Sequence, residues 1–172
     1  LNESLALPKP HVHATLAANR EESMSEGHAA FVRNRVEGNF KRQPALKSMG
    51  AELTRISHGI VELELPFSEK MTQQYGWLHG GAIAAGLDSA CGLAAYTLID
   101  PDASVLTIEF KVNLLSPGRG TRFLFQGEIT KPGSTIIVAD GRAYALTDGP
   151  AKLIASMTST LMVVRGREDI SA

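Results

Sequence analysis

His79-Gly80-Gly81 leads into the stretch GGAIAAGLDSACGLAAYTL (residues 80–98), in which Asp88 is the only charged residue. A carboxylate among small apolar residues is costly unless it is paired, hydrated or used. Burial raises the pKa of such a group, and perturbed acids concentrate at functional sites. Asp88 is therefore either an acid–base group or a packing device bonded to buried backbone or to Ser89. Gly80 and Gly81 open the helix expected here, where free amide N–H groups and the positive end of the dipole face outward. That end can hold a carbonyl oxygen as negative charge develops on it, and glycine removes the side chain that would crowd a substrate. A plain Gly-rich turn would explain the pair alone; its coincidence with His79 and Asp88 favours chemistry. Cys91, three residues past Asp88, has no obvious base and reads as a core thiol.

These groups need elements to hold them. A helix over 80–98 that is small and apolar all round belongs inside a sheet wrapping, and Gly86 and Gly92 allow neighbouring backbone close to it. Ahead of it, strands over about 50–56 and 60–65 form a hairpin through His58-Gly59, ended by Pro66. Four strand candidates follow. Leu106, Ile108, Phe110, Val112 and Leu114 alternate with Thr107, Glu109, Lys111 and Asn113, a period of two. Pro117-Gly118 turns the chain into 121–130, where Phe123, Phe125 and Ile129 share a face. Lys131-Pro132-Gly133-Ser134 and Asp148-Gly149-Pro150 set off the strands 135–147 and 151–164. One helix covers one face of such a sheet, so homodimerisation is the economical way to finish it. Ala29, Ala30, Phe31, Val36 and Phe40 predict a short amphipathic helix over Glu26–Lys41, closed by Pro44. Residues 1–25 read as a poorly ordered lead-in whose His11 and His13 are solvated tail residues rather than metal ligands.

Composition narrows the function classes. The 172 residues carry a formal net charge of -1, so no basic stripe is available for nucleic acid. A single cysteine excludes an intrachain disulfide framework and a cysteine-rich zinc site. No run approaches the length of a membrane span, the first residues lack the order of a secretory leader, and the expected compartment is the cytoplasm.

The segment Gln73-Gln74-Tyr75-Gly76-Trp77-Leu78-His79-Gly80-Gly81, with Asp88 nine residues after His79, resembles the signature of hotdog-fold acyl-CoA thioesterases of the phenylacetate-degradation (PaaI-like) type. That pattern is a polar amide, His-Gly-Gly six residues on, and an acid nine after the His. The strands behind it and the Ser116-Pro117 turn are similar too, and the resemblance covers roughly residues 45–164. It implies an α+β hotdog fold, an antiparallel sheet wrapped around a long central helix. The expected divisions are an N-terminal, partly helical extension (1–44), the hotdog domain (45–165) and a C-terminal tail (166–172).

The resemblance further implies hydrolysis of an acyl-CoA. Asp88 would act as general base or as nucleophile, the Gly80 amide as oxyanion donor, and His79 as a group positioning the carbonyl or the leaving group. Gln73, or its neighbour Gln74, would orient water or the carbonyl, and Thr107 would place a hydroxyl near the water. Coenzyme A would be held by Gly81, by Leu114, Ser116, Pro117, Gly118 and Arg119, and by Lys131, Gly133 and Ser134, with Arg122 adding charge. The site would lie across a homodimer, in a dimer of dimers, with no metal or redox cofactor. The rivals are a hotdog 3-hydroxyacyl-thioester hydratase or dehydratase, a non-catalytic acyl-CoA-binding protein, and a structural dimer.

Overall fold

Small residues on one helix let a curved sheet close around it. The computed structural model describes residues 26–167. Its elements are α1 (Glu26–Lys41), α2 (Pro44–Met49), β1 (Glu52–Ser57), β2 (Ile60–Pro66), a 3-10 turn (Glu69–Met71), α3 (Gly80–Ala95), β3 (Ala103–Leu114), β4 (Arg122–Lys131), β5 (Ile136–Leu146) and β6 (Lys152–Arg165). The strands form one sheet in the order β1-β2-β4-β5-β6-β3, antiparallel at every pairing. Helix α3 lies in the concave face and packs most closely on β4, with Ile83, Leu87, Ala90 and Ala94 meeting Phe123 and Phe125 in the core. This is the α+β hotdog arrangement, with helices added at its N-terminal side. The reading of residues 1–25, including His11 and His13, lies outside the described residues, as do residues 168–172.

Gly86 sits under the Phe125 ring, where a Cβ would come within 2.8 Å of the ring carbons. Gly92 differs from expectation: nothing lies within 4 Å of its Cβ position, so it opens space rather than admitting backbone. The close backbone approach comes from β4 instead, at Gly127. Helix α3 also stops at Ala95, three residues short of the expected end. Tyr96, Thr97 and Leu98 donate to the carbonyls of Leu93, Ala94 and Ala95, a tightened last turn. The Thr97 hydroxyl donates to Ala94 O and accepts from the Gly59 N–H, both at 2.7 Å, which ties the β1–β2 turn to the helix end.

Helix α1 has the predicted bounds, and Val36 and Phe40 of the expected apolar set pack on the core, but Ala29, Ala30 and Phe31 are exposed. Val32 and Val36 turn inward, whereas Phe31 is 46% exposed. Pro44 does not merely close α1; it stands in the first turn of α2, where its missing N–H costs nothing. Gly50, at φ 70, ends α2.

The period-two reading of β3 fails at one point. A register shift between Thr107 and Glu109 makes Ile108 an extra residue. Val105 and Thr107 pair with Val163 and Leu161, while Phe110 and Val112 pair with Ser159 and Met157, so all four face the helix side. Leu106 pairs with Met162 on the other face. The bulge thus swaps the phase of the strand and turns Thr107 toward α3.

Arg35 fastens α1 to the end of α3. Its guanidinium donates to Ile99 O at 2.9 Å and to Ala103 O, and lies 5.1 Å from the centre of the Tyr96 ring. Desolvation holds it below the usual arginine range. Charge-assisted hydrogen bonds of this kind contribute about 1.5–3 kcal/mol. Arg35→Met should therefore lower the thermal midpoint by several degrees, and unchanged melting would show that α1 is held by Val32 and Val36 alone.

Candidate active site

The approach to α3 is a chain of local bonds. Gly76, at φ 75, closes a tight loop in which Gln73 N donates to Trp77 O and Gly76 N to Gln73 O, both at 2.9 Å. Leu78 N donates to Gly118 O at 3.0 Å and His79 N to Met71 O at 2.8 Å, so this loop and the Ser116–Arg119 turn are held together beside the helix start. Arg119 reinforces the contact, its guanidinium 4.5 Å from the centre of the Trp77 ring. The Gln73 side-chain oxygen accepts from the Tyr75 N–H, so that end of the amide is engaged within its own loop.

His79 is the N-cap of α3, and its Nδ1 accepts the Gly81 N–H at 2.8 Å. That bond requires Nδ1 without a proton and places the ring proton on Nε2, a tautomer assigned from the hydrogen bond. It also removes Gly81 from the free amides, leaving the Gly80 N–H without an acceptor among the described residues. A Cβ at Gly80 would meet Leu114 Cδ1 at 2.9 Å, so glycine here keeps both the amide and the Leu114 side chain in place.

Asp88 lies eight residues further along α3, about 12 Å along the helix axis from Gly80. The Thr107 hydroxyl donates to its Oδ1 at 2.8 Å, a consequence of the β3 bulge. Ser89, the alternative partner from sequence, instead approaches Gln43 Oε1 at 3.5 Å. Asp88 is half-buried, at the edge of a cavity of about 350 Å³ that Thr107 also lines.

The remaining wall was not foreseen. Gly92 and Tyr96 stand one and two turns beyond Asp88, a spacing that could have found them. Asn39, Arg42 and Gln43 enter from α1 and the link to α2, where sequence offers no signal.

The candidate residues therefore form three groups within one chain. Gln73, His79, Gly80, Gly81, Leu114 and the Ser116–Arg119 turn gather at the start of α3, and Asp88 with Thr107 lies midway. Lys131, Gly133 and Ser134 belong to the turn beside the far end of α3, where Gly133 and Ser134 line a cleft with Leu98, Asp100 and Arg165. Arg122, expected to add charge for the ligand, is bound by Glu64 at 2.6 Å and Glu52 at 2.7 Å. These hydrogen bonds, with Glu52 first, raise its pKa. Cys91 is buried, and desolvation pushes its thiol up to about 12, with the nearby Asp88 charge adding to the effect. It is not a ready nucleophile. Among the described residues no three His, Cys, Asp or Glu side chains converge as a metal site, and no helix is long and apolar enough to cross a membrane.

Comparison with known proteins places the fold in a family. Residues 75–152 match the Thioesterase superfamily. A crystal structure of a thioesterase family protein from Silicibacter pomeroyi superposes with a TM-score of 0.77 at 47% identity, covering 78% of this chain and 99% of that one. The medium/long-chain acyl-CoA thioesterase YigI of Escherichia coli is 30% identical, over 70% of this chain and 85% of its own. The PaaI protein of E. coli, at 14% identity and a TM-score of 0.69 over 78% of this chain and 94% of that one, shares the fold. The chain belongs to the thioesterase superfamily and is a hotdog-fold hydrolase of that family.

Proposed function

We propose that the protein hydrolyses acyl-CoA thioesters, and that within its family it is PaaI-like in the spacing of Gln73, His79-Gly80-Gly81 and Asp88. The observation that carries this is the Asp88 carboxylate, one oxygen fixed by Thr107, at the edge of a cavity able to take an acyl group. A water held by Asp88 loses its proton to the carboxylate as its oxygen bonds to the thioester carbon. Negative charge on the former carbonyl oxygen is held by the Gly80 N–H at the start of α3. The C–S bond then breaks, the carboxylic acid forms, and the CoA thiolate takes up the proton. His79, with its proton on Nε2, donates to the carbonyl or the departing sulfur, and Gln73 orients the water or the carbonyl.

Asp88 and Gly80 of one chain are too far apart to act on one carbonyl, which supports a site shared between two copies. Leu106, Ile108, Phe110 and Leu114 leave apolar surface on the edge strand β3, the natural place for a second chain. With two α3 helices antiparallel across a two-fold axis, Asp88 of one copy approaches Gln73, His79 and Gly80 of the other. The Lys131–Ser134 turn of one copy then nears the Leu114–Arg119 segment of the other, giving CoA one continuous surface. A dimer of dimers is compatible with this pairing.

Free-thiol release from a panel of acyl-CoAs tests the reaction, and the buried Cys91 adds no thiol to the readout in the folded protein. No release above the uncatalysed rate from any acyl-CoA would favour a binding protein instead. Light scattering should give at least twice the 18.4 kDa chain mass. An active monomer at micromolar concentration would contradict the shared site.

A further inference from the structure

The cavity beside Asp88 has a mixed wall, in which Leu93, Val105 and Leu106 stand beside several polar side chains. Asn39, Arg42 and Gln43 form its wall on the α1 side, and Ser89, Tyr96 and Ser104 add polar groups from α3 and β3. Arg42 is the one cation in this lining. Its guanidinium donates to Asn39 Oδ1 at 3.0 Å, and no ion pair within the described residues includes it. The other arginines near the site are occupied: Arg35 by main-chain carbonyls, Arg119 by Trp77. Arg42 is exposed at the rim of this space, and a plain alkyl chain would cover the half-buried Asn39 and Gln43 and return nothing to them, a cost that polar groups impose on apolar substrates. A carboxylate at the far end of the acyl group would accept from the Arg42 guanidinium and from the Gln43 side-chain amide, whereas the Asn39 amide already donates to Arg35 O at 3.0 Å.

We infer that the acyl group processed at this site ends in a carboxylate, so that the substrates are CoA thioesters of dicarboxylic acids, with Arg42 as the specificity-determining residue. The inference rests on the thioesterase reading above and deepens it. Asp88 and Arg42 lie on the same cavity. The single negative charge of the lining, Asp88, then sits at the reacting end, while the single positive charge receives the distal carboxylate. The link that follows α1, which lies outside the family match, thereby decides what the hydrolase accepts.

The test compares kcat/KM for adipoyl- and suberoyl-CoA with hexanoyl- and octanoyl-CoA, which have equal carbon numbers and lack the second carboxylate. The full chain should prefer the dicarboxylic member of each pair by on the order of tenfold to a hundredfold, the strength of a charge-assisted bond. Arg42→Met should collapse that ratio toward one, chiefly through KM, and Arg42→Lys, which keeps the charge without the fork, should restore part of it. Melting curves of both variants establish that they are folded. Equal rates on the paired substrates, or a preference that survives Arg42→Met, would overturn the inference while leaving the hydrolase reading standing. Turnover of no thioester at all would remove the hydrolase reading, and this inference with it.

Discussion

Asp88→Asn should reduce kcat for thioester hydrolysis by about 10²–10⁴-fold, the usual contribution of a positioned general base. Asparagine keeps an oxygen at the place where the Thr107 hydroxyl now donates at 2.8 Å, so the helix-to-strand contact survives while the proton acceptor is lost. KM should change little, because the amide fills the same volume in the cavity wall. Thr107→Val probes the same pair from the other side: the carboxylate remains but is no longer held, and a smaller loss of kcat is expected. Thiol release by the two variants, measured beside their thermal melts, separates lost chemistry from lost structure. Asp88→Asn turnover within a factor of a few of the unaltered chain would sink the general-base mechanism.

Gly127→Ala should be the most destabilising single methyl in the sheet. A Cβ there would lie 2.3 Å from the carbonyl carbon of Ala90, 2.4 Å from its oxygen and 2.5 Å from Cys91 N. These are main-chain atoms of α3, so no rotamer change can relieve the overlap. Either β4 or the helix must move, and Phe123 and Phe125 on the same strand resist that because both are fully buried against α3. Overpacking of a core costs about 1–3 kcal/mol and occasionally more, and backbone against backbone belongs at about 3 kcal/mol or above on that scale. A domain stable by about 5–15 kcal/mol loses a large share. Gly92→Ala is the contrast: its Cβ position is open, so only the gain in helix propensity applies, about 0.8–1 kcal/mol. Urea unfolding should move the two variants in opposite directions. Equal midpoints would show that β4 does not press on the helix backbone.

Most of the elements, and the segment proposed to carry the chemistry, were legible in the residues alone. The all-apolar run after His79 could only be a wrapped helix, and Asp88 stood out because a lone carboxylate is conspicuous there. The β1–β2 hairpin at His58-Gly59 and the turn at Lys131–Ser134 were legible because their residue types carry local backbone preferences. Three things were decided only by tertiary structure. The bulge at Ile108 turned Thr107 onto Asp88, and a bulge depends on how a strand pairs with β6, not on its own alternation. On α1, Val32 rather than Phe31 turns inward, in a docking where Arg35 reaches the end of α3, more than sixty positions away in sequence. Asn39, Arg42 and Gln43 meet Asp88 on one cavity through the packing of α1 and its following link beside α3. Periodicity and turn chemistry are local properties of a chain, whereas the company a side chain keeps is set by packing between segments that sequence distance does not relate.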